Sequence, residues 1–196
     1  RTEETSVYAK AFEKLPEDEL NPNFINVAND FTVYDDYLYY TKNPVNDVFT
    51  LKLEIAKGQN HDKYYPILAE ALNNSGTSTY SVKALKTAFA NLGTTFTCSA
   101  DYNTFDFNLT GIDKNFAASL ALLEDVLTSF KPSHKTVNYL YNQRKTNNKL
   151  DKNNPASAGR TLYTYGLFGN KASSKNRVGS KTLKKMDATI LEAKLA

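Results

Sequence analysis

Few side chains in this sequence combine a reactive type with a spacing that chemistry can use. The two histidines, His61 and His134, and the single cysteine, Cys98, stand too far apart for one helix or turn to bring them to a common metal ion. A structural zinc site is not expected from them. Nucleophile elbows of the G-x-S-x-G type and glycine-rich phosphate loops are also missing. His61 falls at the start of a helix-like stretch and His134 just after a helix-ending proline, places that suit surface or capping roles. Cys98 alternates with polar neighbours in a strand-like segment, where a free thiol acts as a small buried hydrophobe. Arg144 and Lys145, in YNQRKTNNKLDKNNP, offer an anchor for an acidic partner, although such a charge run also makes a solvated helix face. One candidate remains: Glu70, the only carboxylate in the apolar stretch YPILAEALNNSGTSTY, residues 65–80.

Composition bounds what these residues can serve. A chain of 196 residues with 41% hydrophobic and 12% aromatic content can bury a sizeable core. Its net charge of +3 comes from 24 basic and 21 acidic residues mixed along the sequence, so no stripe for a phosphate backbone forms and no nucleic-acid partner is expected. One cysteine excludes an internal disulfide. No apolar run approaches the roughly 18 residues of a membrane span, and no charged start followed by an apolar stretch marks a signal peptide. The polar opening, residues 1–20, reads as an interdomain linker from a longer chain, and residues 21–196 as a single domain.

The elements that must position Glu70 follow from periodicity. NDFTVYDDYLYYTKNP predicts a hairpin with its turn at Asp35 and Asp36. In VFTLKLEIAKG, Phe49, Leu51, Leu53 and Ile55 alternate with polar residues, which predicts a strand with one buried face. Tyr65, Leu68 and Leu72 recur at helical spacing, and a second helix carries Leu85, Ala88, Phe89 and Leu92 before Gly93. Phe96, Cys98 and Ala100, then Phe105, Phe107 and Leu109, predict an antiparallel hairpin turning at residues 101–103. From Asp113, a good cap, the stripe Phe116, Leu120, Leu123 and Leu127 predicts a core helix that ends at Lys131-Pro132. Further helices follow, broken at Asn153-Asn154-Pro155 and by GNKASSKNRVGS. A hairpin between adjacent strands excludes a doubly wound parallel sheet; the order predicts an α+β two-layer sandwich, an antiparallel or mixed sheet with helices on one face.

In combination, the strand running to Gly58, the helix before Gly76-Thr77, the helix closing at Gly93, the alternating hairpin and the GIDKNFAASLALLEDVL helix resemble a domain of the M16 metallopeptidases, the insulinase or pitrilysin family. Later elements agree: a lysine-bearing helix, Asn-Pro at Pro155, then LYTYGLFG. The resemblance implies the LuxS/MPP-like metallohydrolase fold. Peptide-cutting members carry H-x-x-E-H on the helix before Gly-Thr, two His binding zinc and the Glu polarising water. Laid out by distance to Gly76-Thr77, the Glu falls on Glu70 and the two His positions fall on Ile67 and Ala71, neither of which binds zinc. The family's third ligand, a Glu roughly 70 to 80 residues further on, has no counterpart, since no Glu stands between Glu124 and Glu192.

Glu70 is then either a vestige of that motif or an ordinary solvent-facing residue of an amphipathic helix. The resemblance implies a non-catalytic domain, the first of the C-terminal half, which helps enclose peptides hydrolysed at a zinc site in the other half. Its partners would be that catalytic half, in the same polypeptide or as a subunit, and the peptide; this domain would hold no cofactor, and the setting would be bacterial and extracytoplasmic or periplasmic. The alternative is a stand-alone scaffolding protein of the same fold. An Arg and a Tyr assist substrate binding in pitrilysin-type members, but Arg160 and Tyr165 lack that spacing, so no substrate residue is assigned.

Overall fold

The computed structural model describes residues 6–15, 22, 24–35 and 37–196, apart from the side chain of Val27. The chain divides into two compact units after Lys42. In the first, α1 (Val7–Phe12) starts at Ser6, whose hydroxyl accepts from the Ala9 N–H at 3.2 Å. After α2 (Val27–Asp30), β1 (Thr32–Tyr34) and β2 (Leu38–Tyr40) pair antiparallel, with Tyr34 opposite Leu38. This is the expected hairpin; Asp35 turns it at φ 51°, a left-handed conformation that Asp tolerates, and Asp36 lies outside the described residues. So do residues 1–5 and 16–20 of the linker reading.

The second unit opens with β3 (Val48–Ile55), α3 (Tyr65–Leu72), β4 (Gly76–Thr77), α4 (Val82–Asn91), β5 (Thr95–Ala100) and β6 (Phe105–Ile112). It continues through α5 (Phe116–Ser129), β7 (Phe130–Lys131), α6 (His134–Lys152), α7 (Pro155–Phe168), α8 (Ser180–Lys184) and α9 (Thr189–Leu195). The main sheet has the order β3, β6, β5 and is antiparallel throughout, with Leu51 opposite Leu109 and Cys98 opposite Phe107. Its apolar face, centred on Phe105, Phe107, Leu109 and Cys98, packs with Leu68 and Leu72 of α3, Leu85 and Phe89 of α4 and Leu123 and Val126 of α5. The opposite face presents Lys52, Glu54, Asp106 and Asn108. The second unit is an α+β sandwich with helices on one face of an antiparallel sheet.

Several elements form where their residues require it. Gly93, at φ 62°, follows the cap of α4 in the left-handed conformation that glycine adopts without strain. The alternating residues of β3 pair as expected, but Leu53 and Ile55 stay 43% and 42% exposed. The reason is position: β3 is a sheet edge, and α3 and α4 contact β5 instead.

On α5 the buried face is Ser119, Leu123 and Val126, while Leu120 is 40% exposed, so the expected stripe is rotated by part of a turn. Ser119 can be buried because its Oγ lies 2.7 Å from the Thr94 hydroxyl and donates to the Asn115 carbonyl at 2.8 Å. Asp113 makes no side-chain cap but sits in a single 3-10 turn before α5. That helix ends at Ser129 rather than at Lys131-Pro132, since the residue before proline prefers extended backbone, and Phe130 and Lys131 pair with Thr77 and Gly76.

Candidate functional site

The helix that bears Glu70 is committed to the core. Of the eight residues of α3, Ile67, Leu68, Ala69, Ala71 and Leu72 are buried, Ile67 at 1% and Ala71 at 0% exposure. Glu70 is the exposed residue among them. The turn after α3 is fixed by Gly76, where a Cβ would fall on the Tyr80 carbonyl, and by Thr77, whose hydroxyl donates to Asp125 at 2.6 Å and accepts the Tyr80 N–H at 3.0 Å. Here the chain leaves no room for a side chain at position 76.

Alongside α3 runs α6, started by a capping box in which Ser133 and Thr136 exchange side-chain and backbone bonds. The stretch 70 to 80 residues beyond Glu70 therefore lies on α6, the helix packed against α3, and it presents Arg144 to Glu70. Partial burial holds the Glu70 carboxyl above its ordinary range, with the attraction of Arg144 opposing. Burial lowers the Arg144 guanidinium, Glu70 opposes this, and the like charge of Arg177 adds to it. Among the described residues, no three His, Cys, Asp or Glu side chains converge where a metal ion could be held.

Arg144 also belongs to a larger feature, a cleft of about 350 Å³ between α6, α7 and residues 173–178. The helix pair forms because Asn154 caps α7, its Oδ1 accepting from the N–H groups of Ala156 and Ser157, while Pro155 fits the first turn. Arg144 and Asp151 face the cleft from α6; Arg160, Thr161 and Thr164 face it from α7. Lys63, before α3, and Arg177 complete its charge. Gln59 ties down the rear wall: its amide donates to the Ser173 carbonyl at 3.1 Å and to that of Asn176, whose own amide donates to the Gln59 carbonyl at 3.0 Å. Sequence reasoning passed over Gln59, Lys63 and Arg177 because they meet only through tertiary structure. The recurrence of polar residues at 157, 160, 161 and 164, one helical face, is the signal that could have found α7's share.

The other expected residues fall apart in space or into structural roles. His61 accepts the Gly58 N–H on Nδ1 at 3.1 Å in the turn before α3, and His134 is the exposed first residue of α6. Cys98 is buried, and burial first and the nearby charge of Asp106 second push its thiol up to about 12, so it stays protonated and unreactive at neutral pH. Lys145 is solvent-facing, while Arg144 is half-buried. Among the described residues, no helix is long and apolar enough to cross a membrane.

No protein-family model and no curated protein sequence matches the chain. Solved structures do. The inactive domain of a peptidase M16 from Pseudomonas fluorescens superposes with a TM-score of 0.66 at 20% identity, covering 76% of this chain and 38% of that one. The periplasmic protease PqqL from Escherichia coli gives 0.65 at 13% identity, covering 79% and 18%. A mutant of the ferredoxin protease FusC, solved in complex with Arabidopsis ferredoxin, gives 0.68 at 12% identity, covering 93% and 22%. The chain thus spans well under half the length of each of these structures. Its fold is similar to that of these structures.

Proposed function

We propose that this chain is a non-catalytic domain of an M16-type zinc endopeptidase, forming part of the wall around peptides that are hydrolysed at a zinc site elsewhere in the parent protein, in a bacterial, extracytoplasmic setting. The observation that carries the reading is the pair Ile67 and Ala71: the two positions at which the catalytic motif places its His ligands are occupied by apolar side chains at 1% and 0% exposure. Glu70, the remaining motif position, faces a guanidinium instead of a metal. Zinc chemistry would need three ligands and an open coordination position, and these side chains supply neither.

For peptide contact the sheet offers, among the described residues, the outer edge of β3. On β5 the Cys98 carbonyl accepts from the Asn73 side-chain amide at 2.7 Å and the Cys98 N–H donates to its Oδ1 at 2.8 Å, so that edge is closed at its middle. Among the described residues nothing pairs with the outer edge of β3, where an extended peptide can add a strand through backbone bonds.

The test is peptide hydrolysis by the whole parent protein. Substituting the Glu of an upstream H-x-x-E-H should abolish it, while Glu70→Ala should leave the rate within about twofold. Loss of hydrolysis on Glu70→Ala at unchanged stability contradicts the reading. A product that contains no catalytic half and still folds and accumulates supports the scaffolding role instead.

A further inference from the structure

We propose that the cleft between α6, α7 and residues 173–178 is a carboxylate-binding site, in which Arg144, Arg160 and Arg177 take the terminal or side-chain carboxylate of a peptide. The peptide as source of the carboxylate rests on the wall-domain reading; the anion site itself does not.

Charge is the first argument. Lys63, Arg144, Arg160 and Arg177 line the cleft against one carboxylate, Asp151. Among the described residues none of these four cations enters an ion pair, the pairs present being Lys52 with Glu54 and Asp106, and Lys194 with Asp62. The Arg177 guanidinium donates to the Asn148 side-chain oxygen, at 3.4 Å. Glu70, beside Arg144, and Asp151 offset only part of this charge; the remaining like charges repel, and an arriving anion relieves that repulsion.

The orientation of α7 points the same way. A helix folded by burial turns its apolar residues inward. This one does the reverse: Arg160, Thr161 and Thr164 face the cleft, while Leu162, Tyr163 and Leu167 are 73%, 68% and 58% exposed. Its inner face is therefore built to bound a polar space. Ser174 adds an unmet donor, its Oγ being buried without a hydrogen-bond partner in the cleft wall.

Guanidinium groups present parallel N–H donors that match the two oxygens of a carboxylate. The volume of about 350 Å³ lies at the small end of ligand sites and suits a chain end or one acidic side chain. Asp151 in the same wall disfavours a multiply charged phosphate. Because Gln59 and Asn176 already fix the rear wall, little ordering remains to oppose binding.

The experiment is calorimetric titration of the chain at low salt with three N-acetylated pentapeptides free of other acidic residues: one with a free C-terminus, the same peptide amidated, and the amidated peptide carrying one internal Glu. At least one carboxylate peptide should bind about tenfold more tightly than the neutral one, a difference of about 1.4 kcal/mol. Arg160→Gln and Arg177→Gln, both at exposed side chains, should erase that preference at unchanged melting temperature, and Lys83→Gln on α4 should not. Tighter binding of the free C-terminus assigns the site to chain ends, and tighter binding of the Glu peptide assigns it to side chains. Equal binding of all three overturns the cleft proposal and leaves the wall-domain reading standing. If no peptide binds but succinate shifts the amide resonances of α7, the carboxylate site stands and the peptide reading falls. A preference for inorganic phosphate over succinate, or no response to either, overturns the site.

Discussion

Two helices of the second unit, α3 and α7, use their side chains in opposite ways. On α3 five of eight residues are buried, Ile67 and Ala71 among them. On α7, almost twice as long, none of fourteen residues is buried, and a polar stripe faces the cleft. At Ile67 and Ala71 the chain has close packing; along α7 it has polar and charged side chains beside the cleft. The two regions meet at Pro66, which lines the cleft from α3, and at Arg144 on α6, whose charge acts on Glu70.

That contrast predicts a descending series of effects. The largest comes from respelling the motif. Ile67→His together with Ala71→His would put two imidazoles into a filled apolar site, and urea denaturation should show a loss of more than about 3 kcal/mol rather than a new metal centre. Leu162→Asp on α7 should change stability by no more than about 0.5 kcal/mol in the same assay; equal costs for the two helices would break the comparison.

Next is Gly76→Ala, whose Cβ meets the Tyr80 carbonyl and the backbone of Ser81 and Val82. Thermal unfolding should register about 1–3 kcal/mol. Thr77→Val removes the hydroxyl that donates to Asp125 and should lower stability by about 1–2 kcal/mol. An unchanged melting temperature would show that the turn after α3 is not held from Asp125.

The smallest effect belongs to Glu70. Its pKa in the fold lies above the ordinary value, chiefly through desolvation, so its ionised form is disfavoured relative to the unfolded chain. The stability it contributes is complete below the ordinary carboxyl value and is lost as pH rises from there through the raised value of the fold. Glu70→Gln should therefore match the wild type in acid and exceed it near neutrality by no more than about a few tenths of a kcal/mol, since solvent screens a carboxylate this exposed. A clear loss at neutral pH would mean that attraction to Arg144 outweighs the burial.

Much of this architecture was legible where periodicity ran long enough. Phe105, Phe107 and Leu109 mark β6 by alternation alone, and Leu85 and Phe89 with Gly93 mark α4 and its end. Two-residue strands carry no period, so the pairing of Gly76–Thr77 with Phe130–Lys131 had no local signal. Hydrophobicity favours Leu120 over Ser119 on the buried face of α5, and burial of that hydroxyl becomes favourable through the Asn115 carbonyl and through Thr94, 25 residues distant. Glu70 could be singled out as one carboxylate among apolar residues. The cleft could not, since Lys63 and Arg177 are brought together by the fold and neither stands in a motif.

The most direct test of the central claim is the metal content of the purified chain after equilibration with zinc, measured by elemental analysis beside a peptide-cleavage assay. The account predicts far less than one equivalent of zinc and no cleavage, for wild type and Glu70→Ala alike. One bound equivalent that supports cleavage, both lost on Glu70→Ala, would contradict it.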